Sequence, residues 1–258
     1  MKKLAIVTAL LSACAISASA NAYQTEVGGS YIFTDFDKAS DTHSFGVDGT
    51  YYFKPVQTRD APLNEAAFLD RASNVSAKVD YADNSGVKNS YFGAGAEVYI
   101  PDTDFYVGGH AGRSEVKFKD AGKNRVTTYG AEVGYLPAPG LLLALGVKGY
   151  DAKDVNDVKT DGADPTIRAK YVTQIGQHDV NFEAGGAFGD LDEYNIRADY
   201  YLDKTLSVGM DYYNNDLADR DSWGISAKKF FNQNVSLEGR AGFGDHDDTY
   251  SLRAAYRF

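Results

Sequence analysis

Cysteine is all but missing from this chain of 258 residues. Its one thiol, Cys14, sits in an apolar stretch near the start, so residues 23–258 have no disulfide and no thiolate metal site. Tryptophan occurs once and methionine twice. Positive charge is also scarce: 26 Lys and Arg stand against 36 Asp and Glu. The formal charge of −10 argues against a nucleic-acid surface, which needs basic clusters for phosphate. Beyond residue 16 no apolar run approaches the roughly 20 residues of a membrane helix. No HExxH zinc pair, nucleophile elbow or phosphate loop occurs, and nothing calls for a cofactor or a metal.

The start of the chain reads as an export signal over residues 1–22. Lys2 and Lys3 supply the positive end, Leu4 to Ile16 the apolar run, and Ala20-Asn21-Ala22 the small-residue cleavage site. Leu11-Ser12-Ala13-Cys14 also resembles a lipobox, but Cys14 comes early and apolar residues continue after it. Ordinary cleavage is the expectation, leaving residues 23–258 as one domain.

What the chain has in abundance is tyrosine and phenylalanine, 19 and 14, distributed over segments that alternate with period two. The last ten residues show it best. Tyr250, Leu252, Ala254, Tyr256 and Phe258 point one way, and Thr249, Ser251, Arg253, Ala255 and Arg257 the other. Fourteen such segments follow one another from Tyr23, the first carrying Tyr23, Thr25, Val27, Gly29, Tyr31 and Phe33 on its apolar face. Aromatics gather at both ends of that face: Phe53, Tyr135, Phe231 and Phe258 at one, Phe45, Tyr81, Trp223 and Phe243 among those at the other. These are the girdles of two water–lipid boundaries. The expected fold is therefore all-β, a transmembrane antiparallel up-and-down β-barrel of about 14 strands, with 12 or 16 as alternatives.

Connections alternate between short turns, such as Pro137 to Gly140, and longer acidic stretches expected as extracellular loops, such as Asp151 to Asp164 and Asp245 to Asp248. Divalent cations bridging these acidic loops to lipid phosphate is one reading, and a plain solvated loop the other. Segment 54–72 breaks the scheme. It is long where a short turn belongs, and Pro62 to Arg71 reads as a short helix, either a periplasmic excursion or a sign that the strand numbering shifts by one nearby; the sequence does not decide whether the segment narrows the pore.

The polar face is expected to line a water-filled interior, because unpaired charge resists burial. The pore-lining candidates are Lys148, Arg168, Lys170, Glu183, Arg197, Asp199, Asp211, Glu238, Arg240, Arg253 and Arg257. With Lys78 and Lys228 they belong to a set of nine cations matched by nine anions, the others being Glu26, Asp48, Asp80, Glu97 and Glu132. Two arrangements remain open: basic patches facing acidic ones across water, or local pairs that keep the wall hydrated. His110 faces inward with Ser114 two inward positions on, too far along one strand for a catalytic dyad.

Export signal, repeated amphipathic strands and the terminal Tyr256-Arg257-Phe258 together resemble a Gram-negative outer-membrane porin. Ala61-Pro62-Leu63-Asn64-Glu65-Ala66-Ala67-Phe68-Leu69 is similar to a stretch of a family of general porins of proteobacteria. The resemblance implies a cell outer-membrane location and passive diffusion of small hydrophilic solutes and ions. It also implies recognition of Tyr256 and Phe258 by the barrel-assembly machinery, with lipid and lipopolysaccharide as neighbours. The chain is shorter than the sixteen-stranded trimeric porins and has no long third loop, so trimerisation and constriction by that loop are not implied. A non-conducting barrel with adhesive acidic loops is the alternative function, and a lipid hydrolase a remote third.

Overall fold

The computed structural model describes residues 22–38, 40–84, 86–119, 121–216 and 220–258. The leader through Asn21, including Cys14, lies outside the described residues. Fourteen strands follow in chain order: β1 (Ala22–Phe36), β2 (Thr42–Gln57), β3 (Asn74–Asn84), β4 (Val87–Tyr99) and β5 (Phe105–Phe118). Then come β6 (Gly122–Ala138), β7 (Leu141–Lys153), β8 (Lys159–Ile175), β9 (His178–Ala187) and β10 (Glu193–Asp203). The last are β11 (Leu206–Asn215), β12 (Arg220–Phe230), β13 (Val235–Gly244) and β14 (Asp247–Arg257). Every strand pairs antiparallel with its neighbours in sequence, and β1 pairs with β14, so the sheet closes. Closure leaves no strand edge without partners, which is what lipid demands of a backbone.

The closing seam shows how register follows from alternation. Val27 stands opposite Tyr256, Tyr31 opposite Leu252 and Phe33 opposite Tyr250, all on the outer face. At the chain end the Phe258 carbonyl accepts the N–H groups of Gln24 and Thr25, and the Phe258 N–H returns a bond to the Thr25 carbonyl. Tyr256 and Phe258 stack outside at 5.9 Å. The outer band holds Val47, Val79, Leu143, Leu145, Ile196, Met210, Ile225 and Leu252, all exposed to what surrounds the barrel. An apolar belt of this extent is covered by lipid rather than water.

Two expectations need correction. Much of what reads as extracellular loop is strand: Asp151 pairs with Asp161 and Lys153 with Lys159, leaving a turn at Asp154–Val158. Ladder hydrogen bonds are made by the backbone and tolerate charged side chains where water is available, so strands run on past the apolar band. In that turn the Asp154 carboxylate accepts the N–H groups of Asn156 and Val158 at 2.8 Å. Lys153 hydrogen-bonds Asp157 and holds its carboxyl below the usual range.

Tyr23 is the second. It belongs to the inner face, because register shifts between Tyr23 and Thr25 and the bulge turns the side chain inward. There it meets Tyr52 edge-on at 5.5 Å.

Candidate functional site: the barrel interior

Segment 58–73, joining β2 to β3, folds into the barrel instead of hanging outside it. Its helix α1 (Ala66–Leu69) is a single turn, shorter than the sequence implies. Hydrogen bonds from Leu69 N–H to the Glu65 carbonyl and from Asp70 N–H to Ala66 close it. The segment crosses to the far wall. Glu65 forms an ion pair with Lys170 of β8 at 2.8 Å and accepts the Tyr201 hydroxyl of β10 at 2.5 Å. In a ring of fourteen strands, β10 stands opposite β3. Leu63 N–H bonds the Lys204 carbonyl, and the Arg257 guanidinium of β14 bonds the Leu63 carbonyl at 2.8 Å.

Apolar packing holds this crossing in place. One cluster joins Tyr23, Tyr52, Val56, Ala66 and Ala72; a second joins Tyr99, Tyr106, Leu136 and Leu142, with Phe68 packed against it. The turn between β6 and β7 makes room. Gly140 has a positive φ of 75°, a Cβ there would strike the Val172 carbonyl, and Leu69 lies beside it. The short-turn end of the interior is thus a small packed core rather than a hydrated wall.

The eleven candidate lining residues all occupy the inner face, and they resolve the choice between facing patches and local pairs. Arg240 pairs with Asp211, and Arg168 with Glu132 at 2.5 Å. Arg197 pairs with Asp199 at 2.8 Å, Lys228 with Glu238 at 3.4 Å and Lys170 with Glu183 at 2.7 Å. Arg253 takes both Asp48 and Glu26, and Lys148 takes Glu193. Local pairing is the arrangement, and separated basic and acidic patches are not found among the described residues. Asp199 and Arg257, although inward, are buried in the wall. Arg257 is 4 % exposed, lies between the Tyr23 and Phe230 rings at 4.5 and 4.4 Å, and pairs with Glu26.

Between the crossing segment and the other end lies a chamber of about 630 Å³. Lys148, Arg168, Glu97, Glu132, Glu193 and His110 contribute to its wall. Glu97 is held by two neutral donors, the Tyr106 hydroxyl at 3.1 Å and the Asn74 amide at 2.9 Å. Tyr106 also accepts a hydrogen bond from Arg168. At the opposite end the connection between β9 and β10 turns inward. Leu191 packs with Tyr150 and Ala187, and Asp164 accepts the N–H groups of Asp190 and Leu191. Among the described residues no three His, Cys, Asp or Glu side chains converge as a metal site.

Glu65, Asp164, Glu193 and Tyr106 were not among the candidates. Alternation had one usable warning. Leu141-Leu142-Leu143-Ala144-Leu145 is apolar on both faces, the mark of a strand with packing inside as well as outside. Leu142 is 1 % exposed and Leu143 48 %.

The profile of the family described as "Putative general bacterial porin" matches residues 1–159 and 155–258. No curated protein sequence matches the chain. Among solved structures it is similar to the crystal structure of the Acinetobacter baumannii outer membrane protein Omp33, with a TM-score of 0.72 and 28 % identity. That similarity covers 93 % of this chain and 100 % of the other. The KdgM porin in complex with disordered oligogalacturonate matches with a TM-score of 0.48 and 10 % identity, over 90 % of this chain and 99 % of that one.

Proposed function

The chain belongs to the general bacterial porin family and to the outer membrane, and from that premise we propose a channel for passive diffusion of small hydrophilic solutes and ions. The observation that carries this reading is the chamber wall. Its ion pairs are too polar to pack dry, so the space holds water, and solutes that exchange their hydration for wall contacts can pass down a gradient. No cofactor or energy source enters. His110 and Ser114 sit apart on one strand and carry no hydrolase reading. Tyr256 and Phe258, outermost on the last strand, serve in this reading as the signal for the barrel-assembly machinery.

A second reading is favoured by segment 58–73, whose crossing narrows the short-turn end. It is a non-conducting barrel that acts through its acidic loops in envelope structure or adhesion. Single-channel recording of the purified protein in a planar bilayer decides. Discrete conductance steps are expected; a folded protein that inserts and stays silent overturns the channel in favour of the second reading.

A further inference from the structure

Alternation alone balances nine inner cations with nine inner anions, which leaves no charge preference. The strands run longer than the apolar pattern indicates, and with segment 58–73 they add carboxylates that the nine-to-nine count leaves out. Glu65 arrives on the crossing segment, while Asp164 of β8 and Glu193 of β10 share the parity of Arg168 and Arg197 where those strands run on past the apolar band; Arg220 of β12 is added in the same way and pairs with Asp247. Asp164 is engaged by two backbone N–H groups, which orient it without neutralising it.

The imbalance concentrates around the chamber and the smaller cavity of about 290 Å³ beside α1. Lys148 answers Glu193, and Arg168 answers Glu132. Lys170 is shared between Glu65 and Glu183, so one cation serves two carboxylates. Glu97 lines both cavities and, among the described residues, makes no ion pair; its hydrogen bonds come from Tyr106 and Asn74. Neutral donors hold the carboxylate in place without cancelling its charge, and Arg168, already paired with Glu132, bonds the Tyr106 hydroxyl rather than Glu97 itself. A narrow passage with low-dielectric walls focuses such a residual field on whatever passes.

We propose that this chamber is a cation-preferring constriction and that Glu97 is the residue that sets the preference. The species favoured are small monovalent cations, alkali ions and the ammonium groups of organic solutes alike, which pair transiently with the Glu97 carboxylate. The inference rests on the channel reading above. It differs from an effect of the acidic outer end, since Asp161 and its neighbours face bulk water, where salt screens them within about a Debye length.

Reversal potentials in a KCl gradient test it, on full-length protein whose folding is checked by heat-modifiable gel mobility. Wild-type protein is expected to pass K⁺ in preference to Cl⁻. Glu97→Gln, which keeps the size and one of the two accepted hydrogen bonds, is expected to cut the permeability ratio by about twofold or more. Thr166→Lys, which adds a cation to the chamber wall without touching Glu97, is expected to lower it as well and decides the matter if Glu97→Gln fails to fold. Asp161→Asn is expected to leave it unchanged. Conductance steps without cation preference overturn the inference alone, as does a ratio moved by Asp161→Asn but by neither chamber variant. A silent wild-type bilayer overturns the channel and this inference together.

Discussion

Arg240 reaches Asp211 across a strand that belongs to neither. The two stand on β13 and β11, and the guanidinium Nε donates to the carboxylate at 3.0 Å over Gly224 of β12. A Cβ at Gly224 would strike Arg240. The same arrangement recurs at the seam, where Arg253 of β14 lies over Gly28 of β1 to reach Asp48 of β2 at 2.9 Å. A Cβ at Gly28 would come within 2.5 Å of the Arg253 guanidinium. Inner glycine at these points lets a long cation lie flat along the wall and keeps it out of the lumen.

Replacing Gly224 by leucine therefore separates Arg240 from Asp211 without altering either. The ladder of β11, β12 and β13 stays intact, so insertion is expected to be normal. The pair is half-buried beside water, and its loss is expected to cost roughly 1–2 kcal/mol, read as a lower midpoint in heat-modifiable mobility. A midpoint equal to wild type would mean that the pair adds nothing to the wall.

Leu142 and Leu143 are neighbours with opposite surroundings, and their substitutions are expected to fail differently. Arginine at Leu143 meets lipid beside Tyr135 of the short-turn girdle and costs about 1 kcal/mol, below the roughly 2–4 kcal/mol of the midplane, so inserted protein falls modestly. Alanine at Leu142 leaves the lipid face untouched but opens a cavity beside Phe68, at about 2–4 kcal/mol. Insertion should then be preserved, and protease access to segment 58–73 from the short-turn end should rise. Equal effects on insertion would mean that the two faces are misassigned.

Lys148→Glu sets two carboxylates against each other where Lys148 and Glu193 now pair. Neither residue takes part in the barrel ladder through its side chain, so assembly is expected to proceed. The added negative charge is expected to raise the preference for cations in reversal-potential measurements. A shift towards anions would reverse the sign of the chamber field argued above.

The outer face was legible because lipid imposes one rule on every strand, and period two reports it directly. Leu143, Leu145 and Ile196 obey it. The strand count followed from the same rule. The inner face is under no single rule, and two of its features left only indirect traces. Tyr23 looks outward by parity, but a bulge, invisible in composition, turns it in. Segment 58–73 was recognisable as a helix in the wrong place, yet nothing local says where Glu65 goes. Its partners, Lys170 and Tyr201, are more than a hundred residues away in sequence and meet it only because the sheet closes. Pairing across the wall was undecidable for the same reason: Arg253 and Asp48 are neighbours only through the seam.

Glu65 is the point at which the crossing segment is most open to a minimal test. The residue is 2 % exposed, and its carboxylate accepts from Lys170 and Tyr201 on strands remote from β2 and β3. Glu65→Gln keeps the volume and an acceptor oxygen while removing the charge that Lys170 answers. Charge-assisted hydrogen bonds are worth about 1.5–3 kcal/mol, more than neutral ones, so the far anchor weakens while Phe68 and the apolar clusters remain. Lys170 keeps Glu183 as a partner, so no cation is stranded and the barrel itself should be as stable as before. The expected readout is more frequent or larger conductance steps at unchanged barrel thermal stability. Unchanged steps would place the narrowing elsewhere in the lumen. A fall in barrel stability with no change in conductance would make Glu65 a structural strut and remove segment 58–73 from control of passage.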